Sequence, residues 1–311
     1  MFPLAPGPPG TLGPLGLVVP GGEFGVLCVY AAVVAAASLL GGALPGRVRL
    51  THLRLQLAMS AVGGLMLGVA LFGLIPHSAE AFGRVEPAAW GAAVGLLGMF
   101  FLLRFAPFHS HEPPGAVAHA GGDSGDEHGG CGHPQHDPHP SAAGLAGAVF
   151  GLTVHALIDG AALAAAVRGG DERAVLPGLG AFLAVALHKP LDAVTVMTLA
   201  AAGRPGSWAR RRPRLANALF AAVGPAGAVG FYLLAGAVPG ESVVTGAALA
   251  VSAGVFLCVA LSDLLPELEF HSHDRFKLSA ALLAGVGLAL LVEVLAHGGG
   301  HAHAGGHGHV H

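Results

Sequence analysis

Charge is scarce in this chain. Asp, Glu, Lys and Arg supply 11% of the 311 residues, against roughly 25% in an ordinary soluble domain, which excludes a water-soluble fold with a typical charged surface. The net charge of −3 also argues against a basic face for nucleic acid. Cysteine is scarcer still: Cys28, Cys131 and Cys258 are the 3 in the chain, and none stands at a CxxC spacing. Neither a disulfide framework nor a thiolate zinc site is expected. The N-terminal segment is rich in Pro and Gly but has no basic stretch ahead of an apolar one, so it does not read as a cleaved signal peptide. The first apolar run is expected to act as its own insertion signal.

What is plentiful is apolar sequence, 53% of the chain, and glycine, 50 residues. Runs of about 20 residues, enough for about 30 Å of hydrocarbon, fall at 24–44, 55–76, 88–107, 144–167, 176–199, 215–237, 245–265 and 278–296. The expected fold is an all-α integral membrane protein with eight transmembrane helices. Spans 1–3 occupy 24–107, spans 4–5 occupy 144–199 and spans 6–8 occupy 215–296. Around them lie an N-terminal segment 1–23, a His-rich loop 108–143, a basic loop 200–214 and a His-rich tail 297–311. Loops after odd-numbered spans hold Arg47, Arg49, Arg54, Arg204, Arg210, Arg211, Arg212, Arg214, Arg275 and Lys277, whereas the opposite loops hold Arg84, Arg168 and Arg173. The positive-inside rule then puts both termini outside and the His-rich loop in the cytoplasm of a plasma (inner) membrane.

Spans two and seven resemble each other: Gly64, Val69-Ala70-Leu71 and Pro76 align without a gap on Gly254, Val259-Ala260-Leu261 and Pro266. The same offset carries Gly95 of span three onto Gly285 of span eight. Because the two copies cross the membrane in opposite directions, they read as an inverted repeat of the first and last three helices, a 3+2+3 arrangement. Spans four and five are then the unrepeated middle.

That middle carries His155-Ala-Leu-Ile-Asp159 and His188-Lys-Pro-Leu-Asp192. Residues four apart share a helix face, so each pair presents an imidazole and a carboxylate together. An aspartate at a bilayer centre costs about 2.5–3.5 kcal/mol, and a bound divalent cation would offset that cost. Neutral imidazole nitrogen and carboxylate oxygen suit zinc and its first-row neighbours, and four such ligands can complete a tetrahedral shell. Pro190, between the second pair, cannot donate a backbone hydrogen bond and frees the carbonyl of Ala186, a point where the helix can kink. A purely structural reading has Lys189 neutralise Asp159 or Asp192; it explains one carboxylate and leaves the other, with both histidines, unused.

These motifs, with Ser38-Leu-Leu-Gly-Gly-Ala-Leu-Pro45 closing span one and the His-rich loop after span three, resemble the ZIP family of divalent metal transporters. The resemblance implies eight spans with both termini outside, transport toward the cytoplasm, and a metal centre made by His155, Asp159, His188 and Asp192. The chain departs from many members at Ala156, where asparagine is common, and at Lys189, where a carboxylate is common. Those positions help hold a second ion in members with a two-metal centre. One ion is therefore expected here, with the Lys189 ammonium replacing the other cation.

His109, His111, His119, His128, His133, His136 and His139, among Gly, Pro and acidic residues, read as an auxiliary cytoplasmic metal acceptor or sensor, or as a solvated linker. His77 and Glu80 beyond span two, and Asp263 and Glu267 near the end of span seven, read as way-stations at pathway mouths or as ordinary interfacial charges, while Glu293 is expected to reach water. The expected activity is import of zinc, with Fe2+, Mn2+ or Cd2+ as alternative cargo, rather than catalysis, and no resident cofactor. Expected partners are the divalent ion and the lipid bilayer; spacings such as Gly64 with Gly68 would also permit a homodimer. Two other readings use the same residues: a zinc exporter with His-xxx-Asp pairs on two helices, which would have six spans and a cytoplasmic C-terminal domain, and a membrane-embedded zinc-dependent lipid hydrolase.

Overall fold

The computed structural model describes residues 22–44, 52–105, 142–170, 176–202, 207–270 and 275–297. Its long helices are Gly22–Ala43 (span one), Val85–Phe105 (three), Ala142–Arg168 (four), Leu179–Ala202 (five), Pro213–Ala237 (six), Glu241–Phe270 (seven) and Arg275–His297 (eight). Span two is built in three sections: His52–Gly68, a π-helical segment Val69–Leu74, and Ile75–Phe82. A single turn, Trp208–Arg211, lies between spans five and six. Among the described residues there is no strand, and 8 helices are long and apolar enough to cross a membrane.

Six of the eight helices begin and end close to the apolar runs. The second and seventh continue past Pro76 and Pro266, where the runs were expected to stop. At Pro76 the reason is local. It falls in the first turn of the section that starts after the π segment, where a missing N–H breaks no helical hydrogen bond that the preceding turn requires. The helix stops instead at Gly83, whose φ of 69° is left-handed. There Gly83 N–H donates to the Glu80 carbonyl at 3.0 Å and Arg84 N–H to that of Ala79 at 3.1 Å, capping the last carbonyls.

Helices in lipid gain little from hydrophobicity and associate through close van der Waals packing of small residues. Span two lies along span eight, three along seven, four along six and one along five. A Cβ at Gly64 would strike the carbonyl oxygen of Leu282, and one at Gly254 that of Ala92; likewise Gly95 faces the carbonyl of Val251 and Gly285 that of Ala61. One sequence offset relates Gly64 to Gly254, Ala92 to Leu282, Gly95 to Gly285 and Ala61 to Val251. Spans two, four and seven are the most enclosed, and Leu163, Val185, Leu27, Leu65 and Phe256 form the buried centre between five of the helices. Exposed Leu97, Phe100, Leu234 and Leu295 give the periphery an apolar, lipid-compatible surface.

Candidate metal centre

Span four brings His155 and Asp159 to the middle of the bundle, and span five brings His188 and Asp192 opposite them. His155 and Asp159 are 1% and 0% exposed, and His188 is 4% exposed. One ligand atom from each of the four residues lies within 4.8 Å of all the others. His155 Nε2 stands 3.5 Å from Asp159 Oδ2 and 3.7 Å from Asp192 Oδ2. His188 Nε2 stands 3.2 Å and 3.6 Å from the same two oxygens. Zinc bonds of about 2.0–2.1 Å set the edge of a ligand tetrahedron at about 3.4 Å, so the nitrogen–oxygen spacings are those of such a shell.

Hydrogen bonding points the same way. His188 Nδ1 meets the Ala184 carbonyl at 2.7 Å; with the proton assigned to Nδ1 by that bond, the Nε2 lone pair faces the carboxylates. Two acceptors 3.2 Å apart are held together by a proton or a cation between them. Neither ring nitrogen of His155 has a hydrogen-bond partner, nor does Asp159 Oδ1. A buried polar atom without a partner costs about 1–3 kcal/mol, and metal coordination is the ordinary way such a set is satisfied.

Lys189 completes the site, 1% exposed. Its Nζ donates to Asp159 Oδ2 at 2.6 Å and to Asp192 Oδ2 at 3.3 Å, so it reaches both aspartates where the sequence reading assigned it one. Ala156 lies in an apolar cluster with Ala193, Val196 and Phe220. Pro190 is accommodated inside an unbroken span five, and Gly41 of span one lies against its backbone. Gly160, next to Asp159, faces the Gly224 carbonyl and the Ala228 amide of span six.

The family model for the ZIP zinc transporter matches residues 108–293, a stretch that contains both His/Asp pairs. The chain belongs to the ZIP family. Sequence comparison with curated proteins gives no match. Membership makes this a multi-pass membrane protein of a family that transports zinc and related divalent metals. In this ZIP chain Ala156 sits in apolar packing and Lys189 is bound to two carboxylates.

Outside the four-residue cluster, the structure places His77 and Glu80 in the last turns of span two rather than beyond it. His77 Nδ1 lies 2.7 Å from the Gly73 carbonyl and 3.6 Å from Glu293 Oε1 of span eight. Glu293 is therefore turned toward span two, with 23% of its side chain still exposed. Both residues line a cavity of about 60 Å³ between spans two, four, five, seven and eight, with Ala166, Pro177 and Ala181 on its wall. No local pattern signals this pairing, since its partners are far apart in sequence; a half-polar spot on each helix is the most the sequence shows. Thr153, the hydroxyl nearest the His/Asp motif, donates to the Val149 carbonyl of its own helix at 2.7 Å. Asn217 Nδ2 donates to the Leu39 carbonyl at 2.9 Å, the helix-to-helix bond expected of a lone membrane amide. His109, His111, His119, His128, His133, His136 and His139 lie outside the described residues, as do the tail beyond His297 and the side chains of Asp263 and Glu267.

Proposed function

We propose that this ZIP protein carries zinc into the cytoplasm on a single intramembrane site formed by His155, Asp159, His188 and Asp192. The observation that carries the reading is the convergence of two imidazoles and two carboxylates within 4.8 Å, three of the four residues buried and Asp192 partly so, with both nitrogens of His155 unpartnered. Fe2+, Mn2+ and Cd2+ are alternative cargo, because nitrogen and oxygen ligands accept several divalent ions. Ala156 and Lys189 support one ion rather than two: the first offers no ligand, and the second already contributes a positive charge beside both aspartates.

The orientation is read from the basic residues, which cluster in the loops after spans one, five and seven and so favour a cytoplasmic location for those loops. On that orientation the cavity at His77 and Glu293 opens on the outer side. Ala166 follows Asp159 by seven residues on span four, about 10 Å along a helix, so an entering ion would meet this His/Glu pair before the central four. The shared offset among the glycine contacts of spans two, three, seven and eight supports the inverted-repeat reading, which fits a site exposed alternately to each side. The histidines of 108–143 would receive metal on the inner side.

Uptake of 65Zn2+ by purified protein in liposomes tests the proposal. Wild type is expected to accumulate zinc, and His155→Ala and Asp192→Ala to lose at least tenfold of the rate. Absence of flux, or flux that both substitutions leave intact, removes the claim.

A further inference from the structure

Lys189 is a fixed cation inside a cation site. Its ammonium bonds Asp159 Oδ2 and Asp192 Oδ2, the two oxygens that also face both imidazole Nε2 atoms. We propose that Lys189 is a turnover residue of the transport site: a tethered competitor that weakens divalent binding enough for the ion to leave. This rests on the four-residue site proposed above.

The argument begins with reach. Lys189 is 1% exposed and its neighbour in sequence is a ligand, so its side chain has no water to retreat into and its backbone cannot move away from the site. A metal that draws on the two Oδ2 atoms must displace the ammonium, and the ammonium stays nearby as a like charge. The Phe220 ring has its centroid 5.8 Å from Nζ, which gives the displaced cation a weaker resting place through cation–π attraction. Two carboxylates, one buried and one partly buried, and two imidazoles without this lysine would form a site of the kind that holds zinc permanently in structural proteins. A carrier needs the opposite property, since an ion that binds too tightly is not delivered.

Charge arithmetic supports the same role. Asp159, Asp192 and Lys189 sum to −1; with one divalent ion the sum is +1. Neither condition places two uncompensated charges in the bilayer interior, where each is costly. Replacing the lysine with a neutral residue leaves −2 before loading and 0 after, which favours holding the ion over releasing it.

The test uses full-length protein and the portion of zinc binding that His155→Ala removes. Its Kd is measured by competition with a chelating dye, its release by stopped flow, and uptake KM and Vmax in liposomes. Lys189→Gln should bind that ion at least tenfold more tightly, release it correspondingly more slowly, and lower KM and Vmax together. Lys189→Arg keeps the charge and grips two carboxylates through a fork of donors, so it should bind zinc at least threefold more weakly. A packing role alone would not produce opposite shifts in the two variants. A Gln variant that binds no more tightly than wild type overturns the proposal. If the Gln protein does not fold, the Arg variant decides: affinity equal to or above wild type overturns it. Should wild-type binding not depend on His155 at all, the four-residue site itself fails; should it depend on His155 while Lys189→Gln changes nothing, only the role of the lysine falls.

Discussion

At the scale of single residues, the site balances stability against use. His155 is buried with both nitrogens unpartnered, so an isosteric apolar residue should relieve that cost. His155→Leu is expected to raise the unfolding temperature of chelator-treated protein, by the equivalent of about 1–2 kcal/mol, while abolishing uptake. A lower unfolding temperature would show that the imidazole is satisfied without metal. The same histidines set the pH response. A protonated imidazole has no lone pair for a metal, so binding should weaken as the medium is acidified. A flat uptake profile between pH 8 and pH 5.5 would contradict it. The two His/Asp pairs were legible in the sequence because a helix turns i and i+4 to one face, a rule that needs no tertiary information. The reach of Lys189 to both aspartates was not legible, since it depends on how spans four and five pack. Nor was Glu293 turning to His77, which joins helices whose contact no local spacing announces.

At the scale of helices, glycine does much of the positioning. Gly160 lets span six approach within backbone contact directly beside Asp159, and Gly41 does the same for span one at Pro190. Both meet backbone atoms, which cannot swing aside as a side chain can. Gly160→Val should therefore separate spans four and six and destabilise the protein by about 1–3 kcal/mol, the usual cost of overpacking, with loss of uptake in proportion to misplacement of Asp159. Thermal unfolding in detergent measures the first effect; an unfolding temperature unchanged from wild type would show that the helices are not held this closely. Apolar run length placed the helices well but ended two of them too early. Pro76 looked like a terminus because proline disrupts a regular α-helix, whereas a π segment just before it resets the hydrogen-bond pattern. Helix termination was written instead in Gly83, a left-handed residue in a segment that the apolar count had already left behind.

At the scale of the whole molecule, eight apolar helices among the described residues surround the four-residue His/Asp cluster, and ZIP membership agrees with that plan. The pairings of span two with eight and three with seven repeat the glycine contacts at one offset, a regularity that the sequence showed in Gly64 with Gly254 and Gly95 with Gly285. Orientation is open to a direct check: a cysteine introduced at Arg211 should react with an impermeant thiol reagent only from the cytoplasmic side, and labelling from outside would invert the proposed direction of flux. The central claim is that a single divalent ion sits on His155, Asp159, His188 and Asp192. It is tested most directly by counting zinc per protomer in full-length wild type and in the variant carrying alanine at all four positions. The account predicts that the variant binds one ion fewer; no difference, or a loss of two ions, would contradict it.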